Sequence, residues 1–140
     1  LAKKAGFDYT VLSEKNSDLC ANKIKSITQK EGVDAVFMTS GSDKTFDLCL
    51  KSIRNGGTIL IFSSVPISSA GFANNEIYYR ELKIIGSYSP APIDIKQSMD
   101  FLSTGRVKVK NITTEYPLGK VQQAIEDTLS HKIFKAYIKI

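Results

Sequence analysis

The feature that most constrains this sequence is a strand, a helix and a second strand joined by connections of only a few residues. The apolar run Val33–Met38 predicts the first strand, Thr45–Arg54 the helix, and Thr58–Ser64 the second strand. Asn55-Gly56-Gly57 would end the helix as a turn. Short strand–helix–strand connections are typical of parallel sheets with helices on their faces. The pattern therefore predicts an α/β fold with a doubly wound parallel sheet.

Other segments carry further signals for helices and strands. Val33–Met38 is apolar apart from Asp34, which predicts a strand buried on both faces. Asn16, Ser17 and Asp18 are each suitable N-caps for a helix. The other predicted helices are a helix tail at Leu1–Ala5, Leu19–Lys30, Ile95–Ser103 (capped by Asp94, with Met99 and Leu102 inward) and Val121–Leu129, and Ser42 or Asp43 would cap the helix that begins at Thr45. The other predicted strands are Tyr9–Leu12, Leu82–Tyr88 and Phe134–Ile140, with an extended segment at Val107–Glu115. Pro66–Asn75 is a predicted loop, and Glu76–Tyr79 is either a short edge strand or a helical turn.

Composition excludes several classes of protein. A chain of 140 residues is the size of one ordinary domain. Its net charge of +5 comes from lysines scattered along the sequence, without the basic stripe and interleaved aromatics of a nucleic-acid-binding protein. No apolar stretch approaches the ~20 residues of a membrane span. With no signal-peptide pattern either, we expect a cytoplasmic protein with neither nucleic-acid nor membrane partners.

Residues with catalytic or metal-binding chemistry are sparse. The one histidine, His131, stands near a helix end, and its position is interpreted as structural because no nucleophile pairs with it. Cys20 and Cys49 have no Cys or His neighbour at metal-ligand spacing, which favours buried structural thiols. We therefore expect neither a catalytic nor a metal-binding residue in this chain.

Small and hydroxyl-bearing residues follow three of the predicted strands. Thr39-Ser40-Gly41, Ser63-Ser64 and Gly86-Ser87-Tyr88 all stand at carboxyl ends, where parallel sheets bind their ligands. Each segment alone is an ordinary turn composition. Three in one sheet favour a ligand cleft, although the Gly-rich turn that binds a dinucleotide pyrophosphate is absent from the sequence.

Six segments carry a resemblance to a known family. They are Leu1–Tyr9, Gly32–Phe37 with Ser40-Gly41, Arg54–Ile59, Arg80–Ser89, Ile112-Thr113 with Tyr116–Leu118, and Lys135–Ile138. Their order and spacing, over nearly all of the chain, resemble the carboxyl-terminal part of the medium-chain dehydrogenase/reductases. The closest likeness is to the zinc-dependent alcohol and polyol (sorbitol-type) dehydrogenases.

The resemblance implies a partial doubly wound, Rossmann-type sheet that lacks its first two strands. Residues 1–110 would supply strands three to six of the nucleotide-binding domain, and residues 111–140 a return segment, a helix and a final strand towards the catalytic domain. The glycine fingerprint and the zinc ligands of the family would precede Leu1. The predicted strand Tyr9–Leu12 would then need another edge, either that of the strand Val33–Met38 or that of a second chain.

The resemblance also implies cofactor-binding residues. The implied cofactor is NAD or NADP, with zinc only in the parent enzyme. The matching residues are Thr39, Ser40 and Gly41 beside the nicotinamide ribose, Phe62, Ser63 and Ser64 at the nicotinamide, Ser87 and Tyr88 at its carboxamide, and Lys135 at the pyrophosphate. Residues Ile77–Tyr79 and the strand Leu82–Tyr88 match edges through which family members pair, so the resemblance implies a homo-oligomer.

The expected function is that of part of an oxidoreductase. The parent enzyme would transfer a hydride between a small alcohol or polyol and NAD(P), and this segment would supply the nicotinamide side of the cleft. Residues 1–140 alone are not expected to be active. The alternative is a non-catalytic dimerisation or interaction domain derived from the same fold. A nucleotide or methyl-donor binder is disfavoured because it would need a glycine loop of its own.

Overall fold

A computed structural model describes residues 2–12, 16–29, 31–64, 73–109 and 112–140. They form two compact units, one of Val11–Ser89 and the other of Leu1–Thr10 with Pro90–Ile140. No helix in the described ranges is long and apolar enough to cross a membrane. The predicted loop at Pro66–Asn75 lies mostly outside the described residues.

The unit Val11–Ser89 is a parallel sheet with helices between its strands. Its strands β1 (Val33–Met38), β2 (Ile53–Ile61) and β3 (Lys83–Gly86) lie in the order β1-β2-β3, and both neighbouring pairs run parallel. This confirms the predicted α/β class and the parallel sheet. The elements are α1 (Ser17–Ile27), β1 (Val33–Met38), α2 (Asp43–Ser52), β2 (Ile53–Ile61), α3 (Asn74–Tyr79) and β3 (Lys83–Gly86).

Strand β2 begins earlier than the sequence predicts. Val33 pairs with Ile53, but Ala35 pairs with Thr58, so residues 54–57 of β2 form a bulge. Gly56 has a φ of +69° within it. Gly57 is buried, and a Cβ there would lie 2.4 Å from Cγ1 of Ile53. The two glycines therefore shape a bulge inside the strand, and the predicted helix end at Arg54 is wrong by two residues.

The core lies on one face of this sheet. It consists of Met38, Cys49, Leu50, Ile53, Ile59 and Leu82, with partly buried side chains of Val36, Phe46 and Ile77 around them. On the opposite face, Phe37 is 68% exposed and Ile85 is 48% exposed. The prediction that Val33–Met38 is buried on both faces is wrong for this structure, because the face of β1 that carries Phe37 is exposed among the described residues.

Helices α1 and α2 are joined by a polar cluster. Lys51 forms ion pairs with Asp18 at 2.8 Å and with Asp47 at 2.9 Å. Ser17 donates a hydrogen bond to Asp47 Oδ2 at 2.5 Å, and this bond, followed by that from Lys51, lowers the pKa of Asp47. The cluster therefore holds together the two helices that flank β1 in the chain.

Side-chain caps fix the starts of α1 and α2. Asn16 accepts a hydrogen bond from the backbone N–H of Asp18, and Ser42 accepts one from that of Thr45. Both confirm residues proposed as caps. Asp94 was predicted as a cap but lies inside its helix, where its carboxylate accepts from the backbone N–H of Ala91 at 2.7 Å.

The other unit contains a second, smaller sheet. Strands β4 (Thr113–Pro117) and β5 (Lys135–Lys139) pair in parallel, with Thr113 opposite Lys135. Helix α5 (Val121–Leu129) packs beside them. Tyr116 and Ala124 are its buried residues. Met99 and Leu102 of α4 are 60% and 39% exposed, so their predicted inward positions are wrong. The elements are a 3-10 helix (Ala2–Ala5), α4 (Pro92–Ser103), β4 (Thr113–Pro117), a 3-10 helix (Leu118–Lys120), α5 (Val121–Leu129) and β5 (Lys135–Lys139).

One predicted strand is absent from the described residues, and one open choice between strand and helix is settled. Tyr9–Leu12 has no strand conformation and is a member of neither sheet that the described residues form. The segment Ile77–Tyr79 belongs to helix α3, which resolves the choice between strand and helical turn. It therefore offers no backbone edge for sheet pairing.

Candidate functional site

The carboxyl ends of β1, β2 and β3 lie side by side. The backbone N–H of Phe62 donates to the carbonyl oxygen of Met38 at 3.0 Å. The backbone N–H of Ser87 donates to the carbonyl oxygen of Ile61, also at 3.0 Å. These two bonds extend the parallel ladders one residue past the ends of β2 and β3. They bring together the three predicted segments, Thr39–Gly41, Phe62–Ser64 and Ser87-Tyr88.

The turns after β1 and β2 are in very close contact. A Cβ placed on Gly41 would lie 1.7 Å from the carbonyl oxygen of Ser64 and 3.2 Å from Oγ of Ser63. Sequence reasoning placed both turns at the site but did not reveal this contact. No local pattern could show it, because the contact joins residues more than twenty positions apart.

Side chains at these ends are open to solvent. Phe62 is 60% exposed and Tyr88 is 95% exposed. Thr39 and Ser40 are also exposed, and the hydroxyl of Ser63 donates weakly to the carbonyl oxygen of Ser64 at 3.4 Å. The edge thus offers hydroxyls, aromatic faces and backbone groups to a ligand, with no strongly charged side chain among them.

Lys135, the ninth predicted site residue, lies in the other unit. It is the first residue of β5, where it pairs with Thr113 and its side chain is exposed. The contacts described for it are those with β4 in its own unit. Its assignment to a cofactor pyrophosphate rests on the family resemblance alone.

No metal centre is present among the described residues, since no three His, Cys, Asp or Glu side chains come together there. Cys20 and Cys49 are buried, and burial raises the pKa of the Cys49 thiol. His131 is exposed in the turn that follows α5, with a φ of +56°. These side chains do not fit a zinc ion.

A groove of about 430 Å³ lies at the amino end of β1, opposite to the carboxyl ends of the strands. Asp34 lines it and forms an ion pair with Nε of Arg54 at 2.6 Å. Because parallel α/β sheets bind ligands at the carboxyl ends of their strands, this amino-end groove does not compete with the candidate site.

The sequence and the fold both match known dehydrogenases. The family of zinc-binding dehydrogenases matches residues 1–104. D-arabitol-phosphate dehydrogenase of Enterococcus avium is 30% identical over 99% of this chain, and sorbitol dehydrogenase of Bacillus subtilis is 29% identical over 94% of it. The chain spans 39% and 36% of these two relatives.

Solved structures show the same fold. The crystal structure of benzyl alcohol dehydrogenase from Acinetobacter calcoaceticus superposes with a TM-score of 0.83 over 99% of this chain, at 22% identity, and the chain covers 39% of that structure. An alcohol dehydrogenase of Thermotoga maritima gives the same TM-score at 18% identity, and the chain covers 40% of it. The family match over residues 1–104 establishes that the chain belongs to the zinc-binding dehydrogenase family.

Proposed function

We propose that this chain supplies the nicotinamide side of the cofactor cleft in an NAD(P)-dependent alcohol or polyol dehydrogenase. The observation that carries the proposal is the alignment of three strand ends by the bonds Phe62–Met38 and Ser87–Ile61. The side chains at these strand ends are uncharged, and backbone groups lie among them. Such a surface suits the planar nicotinamide ring and its carboxamide better than it suits a phosphate.

The relatives supply the reaction class. They include sorbitol, arabitol-phosphate and alcohol dehydrogenases, one of them an NAD-dependent alcohol dehydrogenase of Saccharolobus solfataricus. We infer that the whole protein oxidises a small alcohol or polyol to a carbonyl compound: a bound nicotinamide would take the hydride from the carbinol carbon, and the hydroxyl proton would pass to solvent. The described residues do not fit a zinc ion, so no step of the reaction is assigned to metal chemistry at this site.

Each strand end would contact a different part of the cofactor. Backbone groups after β2 meet the nicotinamide ring, those after β3 hold its carboxamide, and the turn after β1 borders its ribose. Lys135 would neutralise the pyrophosphate as a point charge. Residues 1–110 would belong to the nucleotide-binding domain and residues 111–140 to the segment that returns towards a catalytic domain.

Titration of the isotope-labelled chain with nicotinamide mononucleotide tests this proposal directly. We expect saturable amide shifts at Thr39–Gly41, Phe62–Ser64 and Ser87-Tyr88. Adenosine monophosphate is the matched probe, since it has the ribose and phosphate but not the nicotinamide. Equal responses to both probes, or shifts confined to the groove beside Asp34, would contradict the proposed site.

Lys135→Ala tests the one charged member of the site. We expect weaker binding of NAD(P), because the variant loses the positive charge opposite the pyrophosphate. The dependence of binding on salt should also fall, because salt screens exposed charge pairs and this pair is gone. Lys139→Ala is a matched control, because Lys139 lies on the same strand and is paired at 3.5 Å with Glu115. An unchanged dissociation constant for Lys135→Ala would remove Lys135 from the site.

We also propose that the protein pairs with a second copy through a sheet edge. Strand β3 is the outer strand of the larger sheet, so one of its backbone edges has no described partner strand. Because Ile77–Tyr79 is helical, β3 alone carries this proposal. Sedimentation at increasing concentration should show a dimer, and a monomer throughout would contradict edge pairing.

A further inference from the structure

We propose that Gly41 is a positioning residue, whose missing side chain sets the spacing between the ends of β1 and β2. This inference rests on the proposed function, because the spacing matters through the nicotinamide that would lie across both ends. Gly41 would not itself recognise the ligand. Its part would be to let the backbone at Ser64 come close enough to hold it.

The contact at Gly41 is with backbone atoms. An added Cβ would lie 1.7 Å from the carbonyl oxygen and 2.6 Å from the carbonyl carbon of Ser64. Both distances are far below any separation that real Cβ atoms show. A side chain could rotate away from such a clash, but a carbonyl group moves only when its peptide moves. A single methyl group therefore forces the two turns apart.

Backbone conformation does not explain the glycine. Gly6, Gly32, Gly56 and Gly105 have left-handed φ values between +69° and +107°, but Gly41 does not. The left-handed conformation that favours glycine is therefore not the reason for a glycine here. The requirement that the structure shows at this position is one of space.

The surrounding bonds leave little room for the turns to yield. Two residues before Ser64, the N–H of Phe62 is tied to the carbonyl oxygen of Met38. One residue after Gly41, Ser42 caps α2 by accepting from the N–H of Thr45 at 3.1 Å. Movement of either turn would strain one of these bonds. The displacement should therefore appear at Ser63 and Ser64, in the middle of the proposed site.

Gly41→Ala should shift the amide resonances of Phe62–Ser64 in the ligand-free protein. It should also raise the dissociation constant of nicotinamide mononucleotide about tenfold, the effect of losing one or two hydrogen bonds. Gly119→Ala is the matched control, since a Cβ at Gly119 meets no atom within 4 Å. The control should leave both the resonances and the affinity unchanged.

A second variant separates positioning from general damage. Ser64→Gly in the Gly41→Ala background gives the clashing peptide more freedom to rotate, so it should restore part of the affinity. If Gly41→Ala alone fails to fold, recovery of the strand-end resonances in the double variant supports the inference. Failure of the double variant to recover them overturns it.

The outcomes also separate this inference from the proposed function. If the unaltered chain does not bind nicotinamide mononucleotide, the proposed function fails. The resonances of Phe62–Ser64 in ligand-free Gly41→Ala then still report whether Gly41 sets the spacing. Shifts confined to residues 40–42, or an unchanged affinity in a chain that does bind, would overturn the role of Gly41 itself.

Discussion

At the scale of single residues, the side chain of Arg80 connects α2, β2 and α3. Its guanidinium donates to the carbonyl oxygens of Leu50 at 2.8 Å and Ile53 at 2.5 Å, and to Oδ1 of Asn55 at 3.0 Å. It also pairs with Glu76 at 3.0 Å. Arg80→Met would leave two carbonyl groups at buried residues without their donor. We expect the free energy of unfolding in urea to fall by about 3 kcal/mol.

Arg106→Met is the control for this substitution. Arg106 is exposed, and its guanidinium stands 5.7 Å from the ring centre of Phe101. Its loss should cost less than about 1 kcal/mol. Equal losses for the two variants would show that the hydrogen bonds of Arg80 do not contribute as the structure indicates.

The segment around Arg80 was recognisable in the sequence, but the role of this side chain was not. Arg80–Ser89 carries part of the family resemblance and correctly predicts β3. The partners of Arg80 lie as far as thirty positions away, on α2 and at the start of β2. Contacts of that range depend on the folded arrangement, which a local pattern does not contain.

One hydrogen bond should make the free energy of unfolding depend on pH in the acid range. Tyr116 donates to Oδ2 of Asp127 at 2.8 Å, and Lys132 pairs with Oδ1 at 3.0 Å. The bond from Tyr116, followed by that from Lys132, lowers the pKa of Asp127 below its ordinary value of 3.8. A lowered pKa in the folded state gives stability that is present above that ordinary value and is lost as the pH falls. In urea, Asp127→Asn should reduce the loss of stability between about pH 5 and pH 3.

The same bond should also act at high pH. It raises the pKa of Tyr116 above its ordinary value of 10.0. A raised pKa gives stability that is present below that value and is lost as the pH rises through the folded-state pKa. Tyr116→Phe should therefore flatten the alkaline limb of the stability profile. Tyr137→Phe, at an exposed tyrosine of β5, is the control and should leave that limb unchanged.

At the scale of elements, the start of α2 depends on one hydroxyl group. Ser42 accepts from the backbone N–H of Thr45, and α2 carries the core residues Cys49 and Leu50. Ser42→Ala should lower the free energy of unfolding by about 1 kcal/mol, and Ser42→Gly by only a few tenths. Ser98→Ala in α4 is the control, because its hydroxyl donates within the helix and alanine favours helix. A loss at Ser98 as large as that at Ser42 would contradict the capping role.

The elements show where a sequence pattern is sufficient and where it is not. Caps are local, so Asn16 and Ser42 were correctly identified as candidates. The strand Tyr9–Leu12 was wrong because β-forming side chains make a strand only when another strand offers its edge. The bulge in β2 was missed because Asn55-Gly56-Gly57 has the composition of a turn. Its place within the ladder is decided by the pairing of Thr58 with Ala35.

At the scale of the whole molecule, the sequence correctly predicted the family and the parallel order of the sheet. It could not show which face of the sheet is covered. A continuous apolar run has apolar side chains on both faces of the strand, so it does not distinguish the covered face from the open one. Val36 and Phe37 are adjacent in such a run, yet Val36 packs at the core and Phe37 is exposed. Which of the two faces is buried depends on the elements packed against the sheet, and the apolar pattern alone is the same for both.

Two alanine variants on adjacent strands test this difference between faces. Ile59 of β2 is 0% exposed at the centre of the core, and Ile85 of β3 is 48% exposed on the opposite face. Ile59→Ala should lower the free energy of unfolding by about 2–5 kcal/mol, because it leaves a cavity. Ile85→Ala should lower it by less than about 1 kcal/mol. Both values are measurable in urea at neutral pH.

A large loss at Ile85 would mean that the face bearing Phe37 and Ile85 is covered in solution. Repeating the Ile85→Ala measurement over a range of protein concentrations would then identify the cover. A second copy of the chain would make the loss grow with concentration, because association stabilises only the folded form. A loss independent of concentration would assign the cover to the same chain. A small loss at every concentration is the result that the open face in this structure predicts.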